Sequence, residues 1–197
     1  MRQLTLWLLL ASAGRAGTLW FQGPPNDGSS NIVDYRLADD FVLGQASVVT
    51  NVTFWYQAQF QDDLSSVAWA FYADAVGALG STLASGVARP DTFLDVNAYM
   101  ASFAIPAVFL PAGTGWLELH SGSSLTDTTG FTVWWASADD NATDNALQDI
   151  APAQPQTPIS LTGYQQYAFQ LDGAAAPEPA SVLLVLGAFC TFCRKRM

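Results

Sequence analysis

The residues best equipped for chemistry surround the single histidine of the chain. Trp116, Glu118 and His120 alternate along one run, so on a β-strand their side chains would share a face. Trp55 and Trp134 stand among polar residues in two other strand-like runs. An exposed indole ring can stack on the apolar face of a sugar while polar neighbours bind its hydroxyls. These five residues are therefore predicted to bind a glycan if the three rings share one open face, and to be ordinary structural residues if the rings are covered or far apart.

Hydrolytic chemistry would need a different set of groups. Glycoside hydrolysis uses two carboxyl groups that face each other across a cleft. Neighbouring residues on a strand point to opposite faces, so an acidic doublet is not itself a catalytic pair, and solvated loop carboxylates are expected. His120 is the one possible base for a Ser/His/Asp triad, but no nucleophile-elbow motif accompanies it. The acidic doublets are Asp39/Asp40, Asp62/Asp63 and Asp139/Asp140.

The densest group of oxygen ligands lies near residue 140. Calcium takes about six to eight oxygen ligands, and acids, amides and hydroxyls spaced by two along a loop can supply several of them. Asp144 stands where an EF-hand loop requires glycine, so an EF-hand is not predicted. A structural calcium ion and a simply hydrated loop are the two interpretations, and no other cofactor is expected. The predicted calcium ligands are Asp139, Asn141, Thr143 and Asn145.

The pattern that must position these residues is β throughout. Short runs rich in Val, Thr, Phe, Tyr and Trp are separated by Gly, Pro, Asn, Asp and Ser, and no window repeats apolar residues at helical spacing. Turn-rich breaks are predicted at 24–28, 62–63 and 111–115. Many strands without intervening helices predict an all-β fold, an antiparallel two-sheet sandwich that is jelly-roll-like. The predicted strands are 18–22, 38–43, 48–60, 67–73, 81–88, 99–107, 115–120, 130–136 and 166–171.

Alternation along each run also predicts which side chains face the core. The opposite faces are polar, and three of them carry the single tryptophans described above. The predicted core consists of Val48, Val52, Phe54, Tyr56, Ala58 and Phe60; Val67, Trp69, Phe71 and Ala73; Phe103 and Ile105; Leu117 and Leu119; and Phe131, Val133 and Trp135.

The charge of segment 17–173 narrows the range of its partners. Its cations are Arg36 and Arg89, against sixteen acidic residues, so its formal net charge is −14. Such a surface repels nucleic acid and anionic lipid, and both are excluded as partners of this segment. The segment contains no cysteine, so its stability is expected to come from its core without disulfides.

Residues 1–16 have the three parts of a secretory signal peptide. Arg2 supplies the positive n-region, residues 4–10 are apolar, and small residues at 11–13 or 14–16 offer cleavage sites. A buried first helix would be longer and would show an amphipathic stripe. The sequence therefore predicts export through the Sec machinery, with residues 1–16 outside the folded domain.

The C-terminal segment 174–197 combines a spacer, an apolar run and a basic end. Pro177-Glu178-Pro179 closes the spacer, residues 180–193 are almost wholly apolar, and Arg194-Lys195-Arg196 follows. An apolar helix can enter the bilayer, whereas the cations stay on the cytoplasmic side. The run is shorter than the ~20 residues of a permanent span. It is therefore predicted to be a transmembrane helix that anchors the chain only until processing.

This tail resembles the PEP-CTERM sorting signal, in which a Pro-Glu-Pro triplet, an apolar helix and a terminal Arg/Lys cluster occur together. The resemblance implies recognition at Pro177-Glu178-Pro179 by an exosortase, a membrane cysteine protease or transpeptidase. It also implies a precursor anchored in the inner membrane, followed by release to, or attachment at, the envelope of a bacterium that makes extracellular polysaccharide. The alternative is an ordinary C-terminal anchor with a proline-rich stalk.

The middle of the chain carries a second resemblance, to the β-sandwich domains often found ahead of PEP-CTERM tails. That family implies a fold and a location, not an activity. The sequence departs from it at Ala78, where a proline commonly precedes the second glycine of a hairpin. The motifs that carry the resemblance are Ala38-Asp39-Asp40-Phe41, Phe54-Trp55-Tyr56, Phe71-Tyr72-Ala73-Asp74 with Gly77 and Gly80, and Gly115-Trp116-Leu117-Glu118-Leu119.

The sequence thus predicts a signal peptide at 1–16, a β-sandwich domain at 17–173 and a sorting signal at 174–197. The expected function is that of a non-enzymatic exported protein of the envelope or extracellular matrix, associated with biofilm or exopolysaccharide. A carbohydrate-binding module and a secreted glycoside hydrolase are the alternatives. Clustering of the three tryptophans on an open face favours the module, whereas two carboxyl groups about 5–10 Å apart in a groove favour the hydrolase.

Overall fold

The computed structural model describes residues 16–96, 98–127, 129, 132–138, 147–149, 159–160 and 166–176. This part of the chain forms β-strands and one 3-10 turn at Gln61–Asp63. No helix within it is long and apolar enough to cross a membrane. The strands are β1 (Gly17–Phe21), β2 (Pro25–Asn31), β3 (Arg36–Leu43), β4 (Ser47–Ala58), β5 (Val67–Asp74), β6 (Leu79–Ala88), β7 (Asp91–Leu94), β8 (Tyr99–Leu110), β9 (Gly113–Ser121), β10 (Val133–Ala138), β11 (Leu147–Asp149), β12 (Ile159–Ser160), β13 (Gln166–Tyr167) and β14 (Phe169–Ala175).

The larger sheet, sheet A, is arranged around β4. One edge of β4 pairs with β8, and β7 pairs with the far edge of β8. The other edge of β4 pairs with β14 and, near its C-terminal end, with β10. Beyond these, β1 pairs with β14, while β2 and β13 pair with β10. Every one of these pairings is antiparallel.

The second sheet, sheet B, has the strand order β12-β11-β3-β9-β5-β6 and is also antiparallel. Its central strand β9 pairs with β3 on one side and β5 on the other. The sandwich core combines residues of both sheets, for example Phe54 and Trp135 of sheet A with Phe41, Phe71 and Leu119 of sheet B. The prediction of an all-β fold with two antiparallel sheets is therefore confirmed.

All nine predicted strands are present, with ends that differ by a few residues. The predicted strand at 166–171 is divided at Ala168 into β13 and β14. Four described strands were not predicted, namely β2, β7, β11 and β12. The turn-rich break predicted at 24–28 is wrong, because most of it belongs to β2. Proline is tolerated as the first residue of an edge strand. β2 begins with Pro25, and among the described strands it pairs with β10 alone.

The core prediction holds along most of β4 and fails at its two ends. The register with β8 shifts between Val49 and Asn51, so Val49 takes the buried position that alternation gives to Val48. Val52, Phe54 and Tyr56 are buried as predicted. Phe60 was also predicted in the core, but it lies beyond the end of the strand and is 62% exposed.

A tight turn joins β5 to β6. Ala75 donates its backbone N–H to the carbonyl of Ala78 at 2.9 Å, and the two residues between them have positive φ, 59° for Val76 and 79° for Gly77. Glycine adopts this conformation readily, whereas a β-branched residue is strained there. The Asp74 carboxylate supports the turn by accepting the N–H groups of both residues, at 3.1 and 3.0 Å.

Several predicted features lie outside the described residues. These are the signal peptide up to residue 15, Phe131 of the core, the acidic pair Asp139/Asp140, the four calcium ligands Asp139, Asn141, Thr143 and Asn145, and the sorting signal from Pro177 onward.

Candidate functional site

The three predicted sugar-stacking rings lie on two different sheets. Trp55 is in β4 and Trp134 in β10, both in sheet A, whereas Trp116 is in β9 of sheet B. Each ring projects from the face opposite the shared core, so Trp116 lies on the far side of the sandwich from the other two. Of the two alternatives from the sequence, the structure therefore supports rings that are covered or far apart, and not one common platform. Alternation of side chains assigned the faces correctly but could not assign strands to sheets.

The predicted trio of β9 does share one face, the outer face of sheet B. Trp116, Glu118 and His120 project there, while the alternating residues Leu117 and Leu119 project into the core. All three are buried, and the indole of Trp116 is 0% exposed. This ring is therefore covered, as one of the two alternatives expected: it belongs to a buried cluster with Ala38, Ala70 and Tyr72, against which Leu79 and Leu125 pack. We call the trio, together with Arg36 of β3 and Tyr72 of β5, the β9 cluster.

Glu118 is the electrostatic centre of the β9 cluster. Arg36 donates two hydrogen bonds to it, from Nε to Oε1 at 2.5 Å and from Nη2 to Oε2 at 2.7 Å. Tyr72 donates its hydroxyl to Oε2 at 2.6 Å. Bidentate pairing of a guanidinium with a carboxylate gives both charge and orientation. With three donors on its carboxylate, Glu118 is held as a structural anion.

Tyr72 is fixed in its neutral form by the same contacts. Burial, followed by the nearby Glu118 carboxylate, raises the pKa of the Tyr72 phenol well above its ordinary value. The Arg36 guanidinium opposes this shift only in part. The phenol therefore remains a hydrogen-bond donor to Glu118 across the neutral and alkaline range.

The indole of Trp116 is held by the turn that follows β5. Its Nε1 donates to Asp74 Oδ1 at 3.0 Å. The same carboxylate accepts the backbone N–H groups of Val76 and Gly77. Asp74 thus links the ring in β9 to the hairpin loop, which explains why the indole does not turn outward to solvent.

His120 is covered by the loop that follows β9. Its Nε2 lies 2.5 Å from the backbone oxygen of Asp127, and a carbonyl oxygen can only accept, so Nε2 carries the proton. The buried Nδ1 has no hydrogen-bond partner among the described residues. The exposed carboxylate of Asp127 organises the loop by accepting hydrogen bonds from Thr129 and Ser123. These bonds, the Thr129 hydroxyl first, lower the pKa of the Asp127 carboxyl.

Trp55 and Trp134 lie on the outer face of sheet A. Trp55 is only 8% exposed, because the loop after β7 covers it: its Nε1 donates to Asp95 Oδ2 at 2.8 Å. The ring of Phe21 meets it edge-on, with centroids 6.0 Å apart. Trp55 is therefore also a covered ring. Trp134 is half-buried beside β2, where it pairs with Asn31.

The Asp39/Asp40 doublet was predicted to be a pair of solvated loop carboxylates. This prediction is wrong, because the doublet lies within β3. Asp39 projects into the core and Asp40 to the outer face, and both are buried. Burial raises the pKa of the Asp39 carboxyl well above its ordinary value, although a hydrogen bond from the Tyr167 backbone partly offsets this. In the second doublet, Asp63 accepts the backbone N–H of Phe60 at 2.9 Å.

A small cavity of about 190 Å³ opens beside the β5–β6 hairpin. Asp74 is the one carboxylate in its described lining, and it already accepts the three hydrogen bonds given above. A two-carboxylate cleft would require a second acid facing it. In the described part of the chain, no three His, Cys, Asp or Glu side chains converge where a metal ion could bind. The cavity is lined by Phe41, Ala73, Asp74, Leu83, Leu110, Pro111, Thr114 and Gly115.

Sequence reasoning identified three of the five residues of the β9 cluster and missed Arg36 and Tyr72, the partners of Glu118. Arg36 could have been found, because it is one of only two cations in segment 17–173 and a buried glutamate needs one. Tyr72 lies on the outer face of the neighbouring strand, opposite Trp116. No sequence signal indicates that Asp127, in a loop, would cover His120. The chain matches no known protein-family model, and no curated protein is significantly similar to it.

Proposed function

We propose that the protein is a non-enzymatic, exported component of the bacterial envelope or extracellular matrix. It is delivered by the Sec machinery as a precursor held in the inner membrane by a C-terminal transmembrane helix. An exosortase then processes it at Pro177-Glu178-Pro179, and the jelly-roll-like sandwich remains in the envelope or outside the cell. The charged groups of the β9 cluster serve the stability of that sandwich, since Arg36 and Tyr72 hold Glu118.

The arrangement of the two ends of the sandwich is the observation that carries this proposal. β1 and β14 are antiparallel neighbours, with Gly17 opposite Gly173. Partner residues of such a pair lie about 5 Å apart, so the N-terminal end of β1 and the C-terminal end of β14 leave the sheet side by side. The last described backbone hydrogen bond joins Ala176 N to Ala46 O at 2.8 Å.

This arrangement suits a precursor with a membrane signal at each end. Residue 16, the expected last residue of the signal peptide, directly precedes β1, and Pro177 directly follows Ala176. Both membrane-directed segments therefore start from one point of the sandwich and can enter the same bilayer while the sandwich stands outside it. The Pro-Glu-Pro triplet lies beyond the last strand, so cleavage there leaves every described strand intact.

Replacement of Pro177, Glu178 and Pro179 together by alanine tests this proposal in the organism that encodes the protein. The variant should accumulate in the membrane fraction as a longer precursor, while the wild type reaches the envelope or medium in a shorter form. A control variant with Pro152 and Pro155 changed to alanine should behave as the wild type. Equal size and distribution of the triplet variant and the wild type would contradict the proposal.

A second candidate function, carbohydrate binding, is favoured by a polar network on the outer face of sheet A. There, Asn51 Nδ2 donates to Ser102 Oγ at 3.1 Å and Thr18 Oγ1 donates to Asp172 Oδ1 at 3.1 Å. The neighbouring ring of Phe21 is 43% exposed. A flat set of hydroxyl, amide and carboxylate groups beside an aromatic ring suits a sugar. The network comprises Thr18, Asn51, Thr53, Ser102, Gln170 and Asp172.

Affinity electrophoresis through gels that contain neutral polysaccharides tests this second candidate. Neutral polymers are chosen because a net charge of −14 on segment 17–173 repels acidic ones. Phe21→Ala should reduce the retardation of the protein, whereas Phe60→Ala, an exposed phenylalanine beyond the end of β4, should not. Equal retardation of the two variants, or an unretarded wild type on every polymer, would remove carbohydrate binding at this face.

A further inference from the structure

The edge of sheet B at β6 is long and carries no charge. The ten residues of Leu79–Ala88 include no charged residue and no proline. One side of β6 pairs with β5, regularly from Ala84 to Ala88 and with register shifts on both sides of Tyr72 towards Leu79. No described strand pairs with the other side of β6. Gly86 allows β6 to lie close over the core, since a Cβ there would come within 2.8 Å of the Trp69 ring. The free backbone groups of such an edge can pair with another strand.

The other described edges of the two sheets are short or contain proline or charge. The edge of β8 beyond its pairing with β7 contains Pro106. β7 has four residues, begins with Asp91 and follows Pro90. β1 has five residues. β2 begins with Pro25 and contains Asp27. Short length, proline and charge are the usual means by which an edge strand avoids pairing with another chain. Among the described edges, only β6 is long and lacks both proline and charge.

We propose that β6 is a self-association edge, on which β6 of a second copy of this chain adds as an antiparallel strand. The pairing follows a twofold axis, with Leu79 of one copy opposite Ala88 of the other, so the same surface serves both copies. The six-strand order of sheet B then continues through β6 into the second copy. Because β6 is uncharged, no like charges face each other along the new ladder.

The charges at the ends of β6, unlike the net charge of the whole segment, favour a second copy as the occupant of this edge. Segment 17–173 has a net charge of −14, so two copies repel each other over most of their surfaces. Arg89, one of its two cations, directly follows β6, is exposed, and has no ion-pair partner among the described residues. In the twofold pairing it lies beside the β5–β6 turn of the second copy, which begins at the anionic Asp74. This attraction occurs at both ends of the ladder.

This inference extends the proposed function without depending on it. Copies of a matrix component that pair edge to edge form a larger assembly. The β6 edge is the same whether or not the tail is processed. Fractionation of the triplet variant tests processing, and the experiment below tests pairing, so either idea can fail alone.

Sedimentation velocity of the purified protein tests the pairing at protein concentrations of about 1–100 μM. The protein is used with the N- and C-termini that it has after cellular processing. The wild type should convert from monomer to dimer as its concentration rises. Ser85→Lys places a charge on the exposed side of β6 and should weaken dimerisation by at least about tenfold. Ser65→Lys is the matched control, because Ser65 is also an exposed serine but lies before β5, outside β6. It should dimerise as the wild type does. Both variants are prepared with the same chain termini.

Hydrogen exchange provides a second measurement that needs no variant. The backbone amides of β6 that point away from β5 should exchange more slowly as the protein concentration rises, while the amides of β7 should not change. A wild type that stays monomeric throughout, equal dimerisation of the Ser85→Lys and Ser65→Lys variants, or β6 exchange that is independent of concentration would each overturn the proposal.

Discussion

The carboxylate of Asp39 in sheet B accepts a hydrogen bond from the backbone N–H of Tyr167 in sheet A, with an Oδ2–N distance of 2.6 Å. The other carboxylate oxygen accepts the N–H of Asp40 at 3.0 Å. Asp39 is fully buried among the apolar side chains that the two sheets share. One polar contact through the core thus fixes β3 against β13, the short strand that follows the undescribed residues 161–165.

This contact predicts how stability depends on pH. Burial raises the pKa of Asp39 in the folded state above its unfolded value of about 3.9. The folded state therefore holds this proton more tightly, so the contribution of Asp39 is fully present below about pH 4 and is lost as pH rises through the folded pKa. Urea unfolding at a series of pH values above 4 should show a falling free energy of unfolding.

The variant Asp39→Asn should lack this decline, because an amide does not ionise. At pH 4 it should be less stable than the wild type by about 1 kcal/mol, since the amide NH2 takes the place of one of the two accepting oxygens and cannot accept a backbone N–H. Asp127 does not interfere, because its lowered pKa affects stability only as pH falls below about 4. A decline of equal slope in wild type and variant would show that Asp39 is not its source.

The Arg36–Glu118 pair predicts a large cost for removing the cation alone. Glu118 is 1% exposed and Arg36 25% exposed, so Arg36→Ala leaves a buried carboxylate without its counter-charge. The expected loss in the free energy of unfolding is about 3–5 kcal/mol. Arg89→Ala, which removes an exposed arginine, should change it by less than about 0.5 kcal/mol at concentrations where the protein is monomeric. Similar losses in both variants would contradict this account of the β9 cluster.

Two phenylalanines near the end of β4 test the observed core. Phe54 is 0% exposed and contacts the rings of Phe103 and Trp135, whereas Phe60 is 62% exposed. Phe54→Ala should lower the free energy of unfolding by about 3–5 kcal/mol. Phe60→Ala should lower it by no more than about 0.5 kcal/mol. Chemical denaturation would measure both, and a comparable loss for Phe60 would place the end of the strand further along the chain.

The β5–β6 turn predicts a stabilising substitution. Val76 has a φ of 59° and is 98% exposed, so its side chain gains little from packing while its backbone is strained. Asparagine tolerates this conformation, and Val76→Asn should raise the free energy of unfolding by about 1 kcal/mol. Ala75→Asn, at the adjacent exposed position, should bring no such gain. A lower melting temperature for Val76→Asn would show that the turn differs from the one described.

Alternation of side chains predicts what lies on each face of a strand but not what covers that face. It correctly grouped Trp116, Glu118 and His120, because successive residues of β9 point to opposite sides. It could not show that Leu125 and the Asp127 loop bury that face, because these contacts depend on how a loop folds back over the sheet. Solvent exposure was therefore mispredicted at Phe60, which is exposed, and at Asp39 and Asp40, which are buried.

Local departures from regular pairing account for the remaining differences. The register shift after Val49 moves one side chain of β4 into the core in place of its neighbour, and no residue type in the sequence announces it. Likewise β2 is polar and contains Asp27, so its sequence predicts a turn. In the structure it is a strand because it pairs with β10. The longer strands were predictable from their runs of β-branched and aromatic residues, whereas bulges and short edge strands are determined by tertiary pairing.

The intact mass of the mature protein from the organism that encodes it tests the central claim most directly. Processing at Pro177-Glu178-Pro179, together with removal of the signal peptide, predicts a chain that begins near Gly17, retains β14 through Ala175, and lacks residues 189–197. Such a mass in the envelope or medium fraction is the predicted result. A mass that includes every residue through Met197 in that fraction would contradict the claim.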